Sequence, residues 1–400
     1  MNGRRADLAI IGGGLSGGLI ALAVRKARPE LSVVLCEAGD VLGGNHRWSW
    51  FESDLDAAGT QLLTPFRTTQ WQGYDVYFPR HERSLGSRYR SLASRDFDAG
   101  LRRELAQDTI WTGAAVTALE TGSATLETGE TIRARAVIDC RGFTPSPHIR
   151  GGWQVFMGRH LRNSRPHGIT RPVIMDASVE QLDGYRFVYV LPLGANELFV
   201  EDTYYNDAPT LDRSALSGRL DAYCRQNGWD GEILGFETGV LPVVTGGDFG
   251  AYRRDRQLDR IPQAGAGALL AHPLTSYTLP QAVETAQLVA GNADLPGDQL
   301  AALLAAHAQR HWKRTKYYRL LGKLLFEAAD PAERYRIFQR FYKLDETLIE
   351  RFYAGRSRLS DKARILSGDP PVAIHRAAAA IFSKSPPLVM RGQQKGRAST

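Results

Sequence analysis

Cysteine, long apolar runs and one-sided charge are all scarce in this 400-residue sequence. Its three cysteines, Cys36, Cys140 and Cys224, lie far apart and form no CxxC pair. Neither a disulfide framework nor a metal site is therefore expected. No apolar run approaches the ~20 residues that a membrane-spanning helix needs. The 50 basic and 43 acidic residues leave a net charge of only +7, and no nucleic-acid partner is expected.

A secretory signal is also missing from the N-terminal region. Residues 3–11 combine basic and apolar residues as a signal peptide does, but glycines interrupt the apolar part and no small-residue cleavage site follows. We therefore expect a cytoplasmic protein. The length predicts two or three domains, and an apolar fraction of 43% is typical of globular proteins.

A glycine-rich turn follows the first apolar segment. Residues 8–11 predict a short buried strand, and residues 19–26 have helical character. Between them stands GGGLSG at 12–17, and Glu37 follows a second apolar segment twenty positions after Gly17. Together these features form a dinucleotide-binding fingerprint in its strand–helix–strand setting.

Each residue type in this fingerprint has a physical reason. Gly12 permits the tight turn, Gly14 lets the backbone approach a pyrophosphate, and Gly17 lets the helix pack close to the strand. Free N–H groups at the helix start face the phosphates, and a distal carboxylate accepts hydrogen bonds from ribose hydroxyls. The predicted contacts here are Gly12, Gly14, Leu15, Ser16, Gly17 and Glu37.

The same residues offer a rival interpretation. Residues 14–18 match GxSxG, the nucleophile elbow of α/β-hydrolases. That elbow follows several earlier strands, and only eleven residues precede the glycines here. Ser16 is therefore predicted to be a phosphate-loop residue.

Downstream segments favour FAD over NAD as the dinucleotide. Residues 39–50 continue with glycines and a basic residue, and residues 116–133 predict a meander that feeds a strand ending in VIDCRG at 137–142. A second small-residue stretch at 264–268 suits close approach to a flavin. The further predicted contacts are Gly44, Arg47, Gly142, Gly265, Pro273 and Tyr277.

The predicted fold class is α/β, a two-dinucleotide-binding-domain flavoprotein with a Rossmann-like FAD domain and a parallel sheet. Residues 1–150 and 255–295 are predicted to form the FAD domain. Residues 151–254 are predicted to form an inserted β-rich substrate domain with a hairpin over 187–201. Residues 296–382 are predicted to be a helical region, and 383–400, rich in Pro, Gly and Lys, a disordered tail.

Several segments together resemble one family, the bacterial lycopene β-cyclases. They are the fingerprint with GGNHRWSW, VIDCRG at 137–142, GGWQVF at 151–156, FVEDTYY at 199–205 and HPLTSYTLP at 272–280. Ser276 and Asp369 depart from the commoner residues. The resemblance implies conversion of lycopene to β-carotene via γ-carotene, with reduced FAD, NADPH or NADH as reductant, and no net redox change. The resemblance leaves three points open: whether the product has one ring or two, which open-ended carotenoids are accepted, and the oligomeric state.

Ring closure begins with protonation of an alkene carbon. A carboxylic acid buried among apolar groups keeps its proton at neutral pH. Glu201 is the predicted acid; on residue pattern alone a solvent-exposed or paired strand-end acid is equally probable, and the resemblance favours catalysis. Asp202 is the second candidate, but successive strand residues face opposite sides, so only one can point into the pocket. Asp139 either contacts the cofactor, positions the acid, or caps a strand end.

A reduced, anionic flavin would stabilise the passing cation. Aromatic faces could assist, although most are expected in core or pocket wall: Trp48, Trp50, Trp153, Phe156, Tyr204 and Tyr205. The alternative is an NADPH-consuming flavin hydroxylase or a prenyl or carotenoid reductase of the same architecture, and a third possibility is a non-enzymatic flavin- or carotenoid-binding protein. Fold alone does not separate these functions.

Residues 310–326 interleave basic, aromatic and leucine residues without an acid. This pattern predicts an amphipathic helix at the inner face of the cell membrane, where the substrate dissolves, or else a solvated basic face. His307 and His311 share the helix without the glutamate of HExxH, so they are predicted to be exposed and not metal ligands.

Overall fold

The computed structural model describes residues 4–182, 184–368 and 371–389. Its strands, in chain order, are β1 (Arg5–Ile11), β2 (Val33–Cys36), β3 (Arg47–Phe51), β4 (Thr69–Trp71), β5 (Tyr74–Phe78), β6 (His81–Leu85), β7 (Tyr89–Ala93), β8 (Ile110–Trp111), β9 (Val116–Glu120), β10 (Ser123–Leu126), β11 (Thr131–Asp139), β12 (Ser146–Arg162), β13 (Val173–Asp176), β14 (Tyr185–Pro192), β15 (Glu197–Asn206), β16 (Glu232–Gly247) and β17 (Pro387–Leu388).

The helices, in the same order, are α1 (Leu15–Ala27), α2 (Ala57–Leu62), α3 (Ser94–Glu104), α4 (Arg213–Gln226), α5 (Phe249–Asp255), α6 (Leu279–Ala290), α7 (Gly297–Arg314), α8 (Lys316–Glu327), α9 (Tyr335–Phe341), α10 (Glu346–Tyr353), α11 (Leu359–Leu366) and α12 (Ile374–Phe382). The α/β class and the helical C-terminal part agree with the sequence prediction.

The first sheet has the order β8-β2-β1-β11-β10-β9. Strand β1 runs parallel to β2 and β11, and the β9–β11 meander adds antiparallel strands. Leu8 and Ile10 pack with α1 on one side, whereas Ala9 and Ile11 pack with Ile132 on the other. Because both faces are covered, β1 is an unbroken apolar run. The predicted strand–helix–strand unit and meander are confirmed.

The second sheet has the order β16-β12-β15-β14-β13-β5-β6, and β17 pairs with β12. The predicted hairpin is β14 and β15, whose register pairs Tyr189 with Glu201. Strand β12 runs antiparallel to both β15 and β16, so it joins two segments that are far apart in the sequence. A third, small sheet has the order β3-β7-β4.

The predicted domain boundaries follow the sheets only in part. Strands β5 and β6 belong to the second sheet, although residues 1–150 are assigned to the FAD domain by sequence. Helix α7, assigned to a separate helical region, packs on the first sheet, where Leu300 and Leu304 join the same core as α1. Parallel pairing of β5 with β13, across about a hundred residues, leaves no local sequence signal.

The predicted disorder of 383–400 is wrong for residues 383–389. Strand β17 pairs with β12, and Leu388 is fully buried against Ile149 and Tyr252. The Thr245 hydroxyl donates to the Ser385 hydroxyl at 2.9 Å. The prediction failed because one buried apolar residue, Leu388, fixes a segment that lies within a polar stretch of the sequence. Residues 390–400 lie outside the described residues.

The predicted amphipathic helix over 310–326 is broken, because α7 ends at Arg314 and α8 begins at Lys316. Arg319 is buried, donates to Thr315 at 2.8 Å and lies 3.7 Å from the Trp312 ring centroid. The basic residues therefore do not form one exposed face. Among the described residues, no helix combines the length and apolar character needed to cross a membrane.

The prediction that His307 and His311 are exposed is also wrong, since both are buried. His311 Nε2 lies 2.9 Å from the Ala271 carbonyl oxygen, and burial lowers the pKa of His311 to about 4. Both side chains lie on the packed side of α7. The sequence of a basic helix does not reveal which of its sides is packed. The described residues hold no group of three or more His, Cys, Asp or Glu side chains arranged for a metal ion.

Candidate active site

A cavity of about 600 Å³ lies between the carboxyl end of the first sheet and one face of the second. Its first end is lined by the ends of β1, β2 and β11 and by the start of α1. Its other end is lined by side chains of β12, β14, β15 and β16. The predicted residues that line it are Gly12, Gly14, Leu15, Ser16, Glu37, Gly44, Arg47, Gly142, Glu201, Gly265 and Tyr277.

The start of α1 is built for close approach of a ligand. Gly12 has φ +104°, and a Cβ on Gly17 would lie 2.0 Å from the Gly12 carbonyl oxygen, so both positions need glycine. A Cβ on Gly14 would meet no atom within 4 Å. No side chain caps the helix at Gly14, which leaves N–H groups of the first turn facing the cavity. This is an anion-binding cradle.

Glu37 lies beside this cradle at the end of β2. Its carboxylate accepts hydrogen bonds from the Gly13 N–H at 2.7 Å and the Gly39 N–H at 2.8 Å. On the opposite side, Gly265 has φ +70°, and its Cβ would lie 2.7 Å from Ser16 Oγ. The second glycine-rich segment therefore closes on α1, and the residues present fit a dinucleotide.

Two residues predicted as cofactor contacts are not part of the cavity wall. Gly17 acts through packing, since it lets α1 approach the turn at Gly12. Pro273 lies in the turn before α6, where its carbonyl oxygen accepts from the Val244 N–H of β16 at 2.9 Å. Gly17 thus has the packing role that the sequence predicts, and contact of either residue with a cofactor stays a prediction.

Glu201 lies at the other end of the cavity, on the face of β15 that points inward. Its carboxyl group accepts a hydrogen bond from the Thr203 hydroxyl at 2.7 Å. Burial, with a smaller contribution from the nearby charge of Glu237, raises the pKa of Glu201 to about 8, and the Thr203 hydrogen bond and Arg47 oppose the rise. The group is therefore a neutral acid at pH 7, able to donate a proton inside the cavity.

Asp202 points to the opposite face of β15, as strand geometry requires. It is fully buried, accepts from Arg186 Nε at 2.9 Å and from the Tyr204 hydroxyl at 2.8 Å. It is not part of the cavity wall. An ion pair in the core behind the sheet corrects the assignment of Asp202 as catalytic.

Asp139 ends β11 and caps the turn that follows. Its Oδ1 accepts from the Arg141 backbone N–H at 3.1 Å and from Arg141 Nε at 2.9 Å. The side chain is buried outside the cavity wall, so of the three roles considered the structure supports the strand-end cap. Its neighbours Cys140, Arg141 and Gly142 line the cavity.

The wall around Glu201 is aromatic. Trp48, Phe156 and Tyr205 line the cavity, but Trp50, Trp153 and Tyr204 lie elsewhere. Sequence reasoning missed the remaining members, which are Phe187, Tyr189, Phe199, Phe338 and Tyr353. Inward positions of the predicted hairpin could have revealed the first three, whereas the last two come from α9 and α10 and carry no local signal.

Tyrosine hydroxyl groups form a chain beside the acid. Tyr189 OH lies 2.8 Å from Ser49 Oγ and 3.0 Å from Tyr89 OH, which in turn lies 2.7 Å from Tyr277 OH. Burial raises the pKa of Tyr189, so its hydroxyl stays neutral. These mutual bonds satisfy polar groups that an apolar ligand could not.

Sequence reasoning also missed Glu237, which lines the cavity from β16. Its Oε1 lies 3.7 Å from Arg47 Nε, and the Arg47 guanidinium carbon lies 5.0 Å from the Phe199 ring centroid. Arg47 Nε has no hydrogen-bond partner among the described residues. The end of the cavity around Glu201 thus holds two carboxyl groups, Glu201 and Glu237, and the guanidinium of Arg47.

Residues 7–379 match the family described as lycopene cyclase protein. The chain belongs to this family.

The chain is similar to lycopene beta-cyclases of two bacteria. It is 42% identical to lycopene beta-cyclase of Pseudescherichia vulneris, over 95% of this chain and 98% of that one. It is 40% identical to lycopene beta-cyclase of Paracoccus sp. (strain N81106 / MBIC 01143), over 93% and 96% of the two chains. The resemblance stated from the sequence is confirmed.

Solved structures share the fold of this chain at low identity. The p-nitrophenol 4-monooxygenase PnpA of Pseudomonas putida DLL-E4 matches with a TM-score of 0.62 and 16% identity, over 89% of this chain and 99% of that one. A geranylgeranyl bacteriochlorophyll reductase-like protein of Thermoplasma acidophilum matches with a TM-score of 0.58 and 13% identity, over 95% and 96%. The predicted flavoprotein fold class is confirmed.

Proposed function

We propose that this lycopene cyclase converts lycopene to β-carotene via γ-carotene, with Glu201 as the acid that starts each ring closure. The observation that carries the proposal is a carboxyl group of raised pKa, about 8, that faces an aromatic, largely apolar cavity. A hydrocarbon has no polar group that a protein could bind. The chain can therefore supply only a cavity of matching shape and a proton donor. The relatives named above carry the same activity in their names.

The reaction needs no net oxidation. The Glu201 carboxyl proton adds to a carbon of the terminal double bond, leaving a tertiary carbocation. A neighbouring double bond attacks that carbon and closes the ring, and loss of a ring proton gives the β ring. Aromatic walls exclude water, which would otherwise trap the cation as an alcohol, and their faces attract positive charge.

FAD is the cofactor proposed for the first end of the cavity. The cradle at Gly14, Glu37 and the closing segment at Gly265 would hold the dinucleotide. When bound in reduced form, FAD supplies a negative charge that stabilises a carbocation. NADPH or NADH would serve as reductant without being consumed in each turnover.

The substrate dissolves in lipid bilayers, and we propose that α11 and α12 bind an anionic membrane surface. Leu359, Ile374 and Phe382 are 85%, 74% and 87% exposed, which is unusual for such side chains. Four lysine and arginine side chains are exposed within residues 356–368 and 371–389: Arg356, Arg358, Arg364 and Lys384. No acid is exposed in these two ranges, because Asp361 is buried. Exposed apolar side chains among positive charges are typical of interfacial helices. The protein would then be cytoplasmic and peripherally attached to the membrane.

The test is an anaerobic reaction of purified protein with FAD, NADPH and lycopene in liposomes. Carotenoid products and NADPH oxidation are followed together. β-Carotene formed in large excess over NADPH oxidised supports the cyclase. Stoichiometric loss of NADPH, or an oxygenated or hydrogenated product, would indicate a hydroxylase or reductase and overturn the proposal.

A further inference from the structure

Glu237 occupies a defined position relative to the proposed acid. Gly158 of β12 pairs with Glu201 of β15 on one side and with Glu237 of β16 on the other. All three positions face the cavity side of the sheet, and both carboxyl groups line the cavity. Two strand spacings place their backbones ~10 Å apart, so their side chains stand on either side of Gly158.

Gly158 leaves room for an aromatic ring between the two acids. A Cβ at this position would lie 2.4 Å from the Phe199 ring, so the ring occupies the space that a side chain would need. Gly239 does the same for the Phe156 ring, where a Cβ would lie 2.3 Å away. Two aromatic rings, Phe156 and Phe199, therefore line the cavity beside the two carboxyl groups.

The two acids have different electrostatic surroundings. Glu237 forms an ion pair with Arg47, and Arg95 also lies near enough to favour its charged form. Burial raises the pKa of Glu237, and these two cations oppose the rise. Glu201 has no ion-pair partner among the described residues and keeps its proton. Paired acids with unequal surroundings typically divide into a proton donor and a proton acceptor.

We propose that Glu237, as a carboxylate, removes the ring proton that decides which ring isomer is formed. The proposal rests on the proposed cyclase function and assigns its final base. The ion pair with Arg47 favours the carboxylate form of Glu237, against the burial that raises the pKa of Glu237. The charge of Arg47, which would repel a carbocation, is balanced by the same ion pair.

Glu201 loses a proton to the terminal double bond, whose electron pair forms the new C–H bond. The next double bond supplies the pair for the ring C–C bond and leaves the cation on a ring carbon. Glu237 takes the proton from the adjacent ring carbon that bears the polyene chain, and that C–H pair becomes the ring double bond. Glu201 regains a proton and Glu237 loses one between turnovers.

The test variant is Glu237→Gln, compared with wild type in the same liposome reaction run in D₂O. Without the base, β-ring formation should fall by roughly 100-fold or more. The cation should then lose other protons or return to lycopene. We expect rings with the double bond displaced, trapped alcohols, or recovered lycopene that carries deuterium, detected by chromatography and mass spectrometry.

Matched variants separate this role from a structural one. Glu232→Gln changes an exposed glutamate of the same strand and should leave rate and product unchanged. Glu237→Asp retains the carboxylate and should make β rings at a reduced rate. An unchanged flavin absorbance spectrum would show that Glu237→Gln still binds FAD.

Two outcomes would overturn the role of Glu237. One is a Glu237→Gln protein that makes only β rings without deuterium in recovered lycopene, since Glu201 or solvent would then be the base. The other is a flavin-loaded but inert variant that neither cyclises nor exchanges lycopene. Failure of the proposed function itself is distinct, because wild type would then form no β-carotene.

Discussion

At the scale of single residues, chemistry in this cavity depends on which groups keep their protons. The Glu201 side chain lies in the cavity wall, and among the described residues its carboxyl group accepts a hydrogen bond only from the Thr203 hydroxyl. The pKa of about 8 makes it an acid at neutral pH. This state costs stability, because an acid that stays protonated in the fold is ionised in the unfolded chain.

We expect Glu201→Gln to abolish cyclisation and to stabilise the protein at pH 8. The pKa rises from 4.5 to about 8 on folding. Stability from this group is therefore fully present below pH 4.5 and is lost as pH rises through about 8. Glutamine stays neutral, so the free energy of unfolding should gain on the order of 1–3 kcal/mol at pH 8.

Thermal unfolding between pH 4 and 8 measures this difference, which should vanish near pH 4. Glu197→Gln on the same strand is the control, since its pKa is lowered by Arg162 and no gain is expected. Equal melting temperatures of Glu201→Gln and wild type at pH 8 would argue that Glu201 is already ionised.

At the scale of elements, two local designs place the reacting groups. Helix α1 begins with open backbone at Gly14, and the central strands of the second sheet align two acids across Gly158. Strand alternation separates Glu201 from Asp202, so neighbouring acids have unrelated partners. The geometry of each element therefore decides which groups point into the cavity.

A valine at Gly14 tests the cradle at the start of α1. Gly14 has φ −68° and open space around a Cβ, so Gly14→Val should fold normally. The new side chain would project where a pyrophosphate must lie, at a cost on the order of 1–3 kcal/mol. FAD binding should weaken by about 10- to 100-fold.

Fluorescence titration of the apoprotein with FAD measures this change. Gly218→Val on α4, also in open space, is the matched control and should bind FAD like wild type. Wild-type affinity in Gly14→Val would mean that the dinucleotide does not approach α1.

At the scale of the whole molecule, the cavity lies between two sheets and is covered by the C-terminal helices. Helices α9 and α10 contribute Phe338 and Tyr353 to its wall, and the next two helices carry the exposed apolar side chains. Both α11 and α12 pack against α8, through Lys362 on Tyr317 and through Lys323 on the end of α12. The proposed membrane surface is therefore tied to the helices that close the cavity.

We expect Leu359→Ser, Ile374→Ser and Phe382→Ser together to abolish binding to anionic vesicles. Each side chain loses on the order of 1.5–3 kcal/mol of apolar burial in the interface. Flotation with vesicles of anionic lipid measures binding. Turnover of lycopene in vesicles should fall, and turnover of detergent-dispersed lycopene should not.

The control changes exposed apolar residues elsewhere. Val41→Ser and Ile233→Ser remove side chains that are 53% and 41% exposed, and they should float like wild type. Unchanged flotation of the triple variant would exclude α11 and α12 as the membrane surface and return attention to the exposed basic residues of α7.

Local patterns were sufficient for much of the fold. Apolar runs beside a glycine turn predicted β1 and α1, and the 187–201 segment predicted its hairpin, because neighbouring residues alone decide these elements. The burial of His311 and Arg319 was missed, since a basic helix looks the same from the sequence whichever side is packed. The 383–389 segment was missed because Leu388 is only one apolar residue in a polar context.

The sequence by itself determined the dinucleotide turn and the family, and through the resemblance it predicted Glu201 as the acid, because each is written in contiguous residues with fixed spacing. Only the tertiary structure decided that Glu237 and Arg47 share the cavity with that acid. Strand register sets this arrangement, and hydrogen bonds between segments separated by tens to hundreds of residues set the register. Loop closure over such distances leaves no trace in any one stretch of the chain.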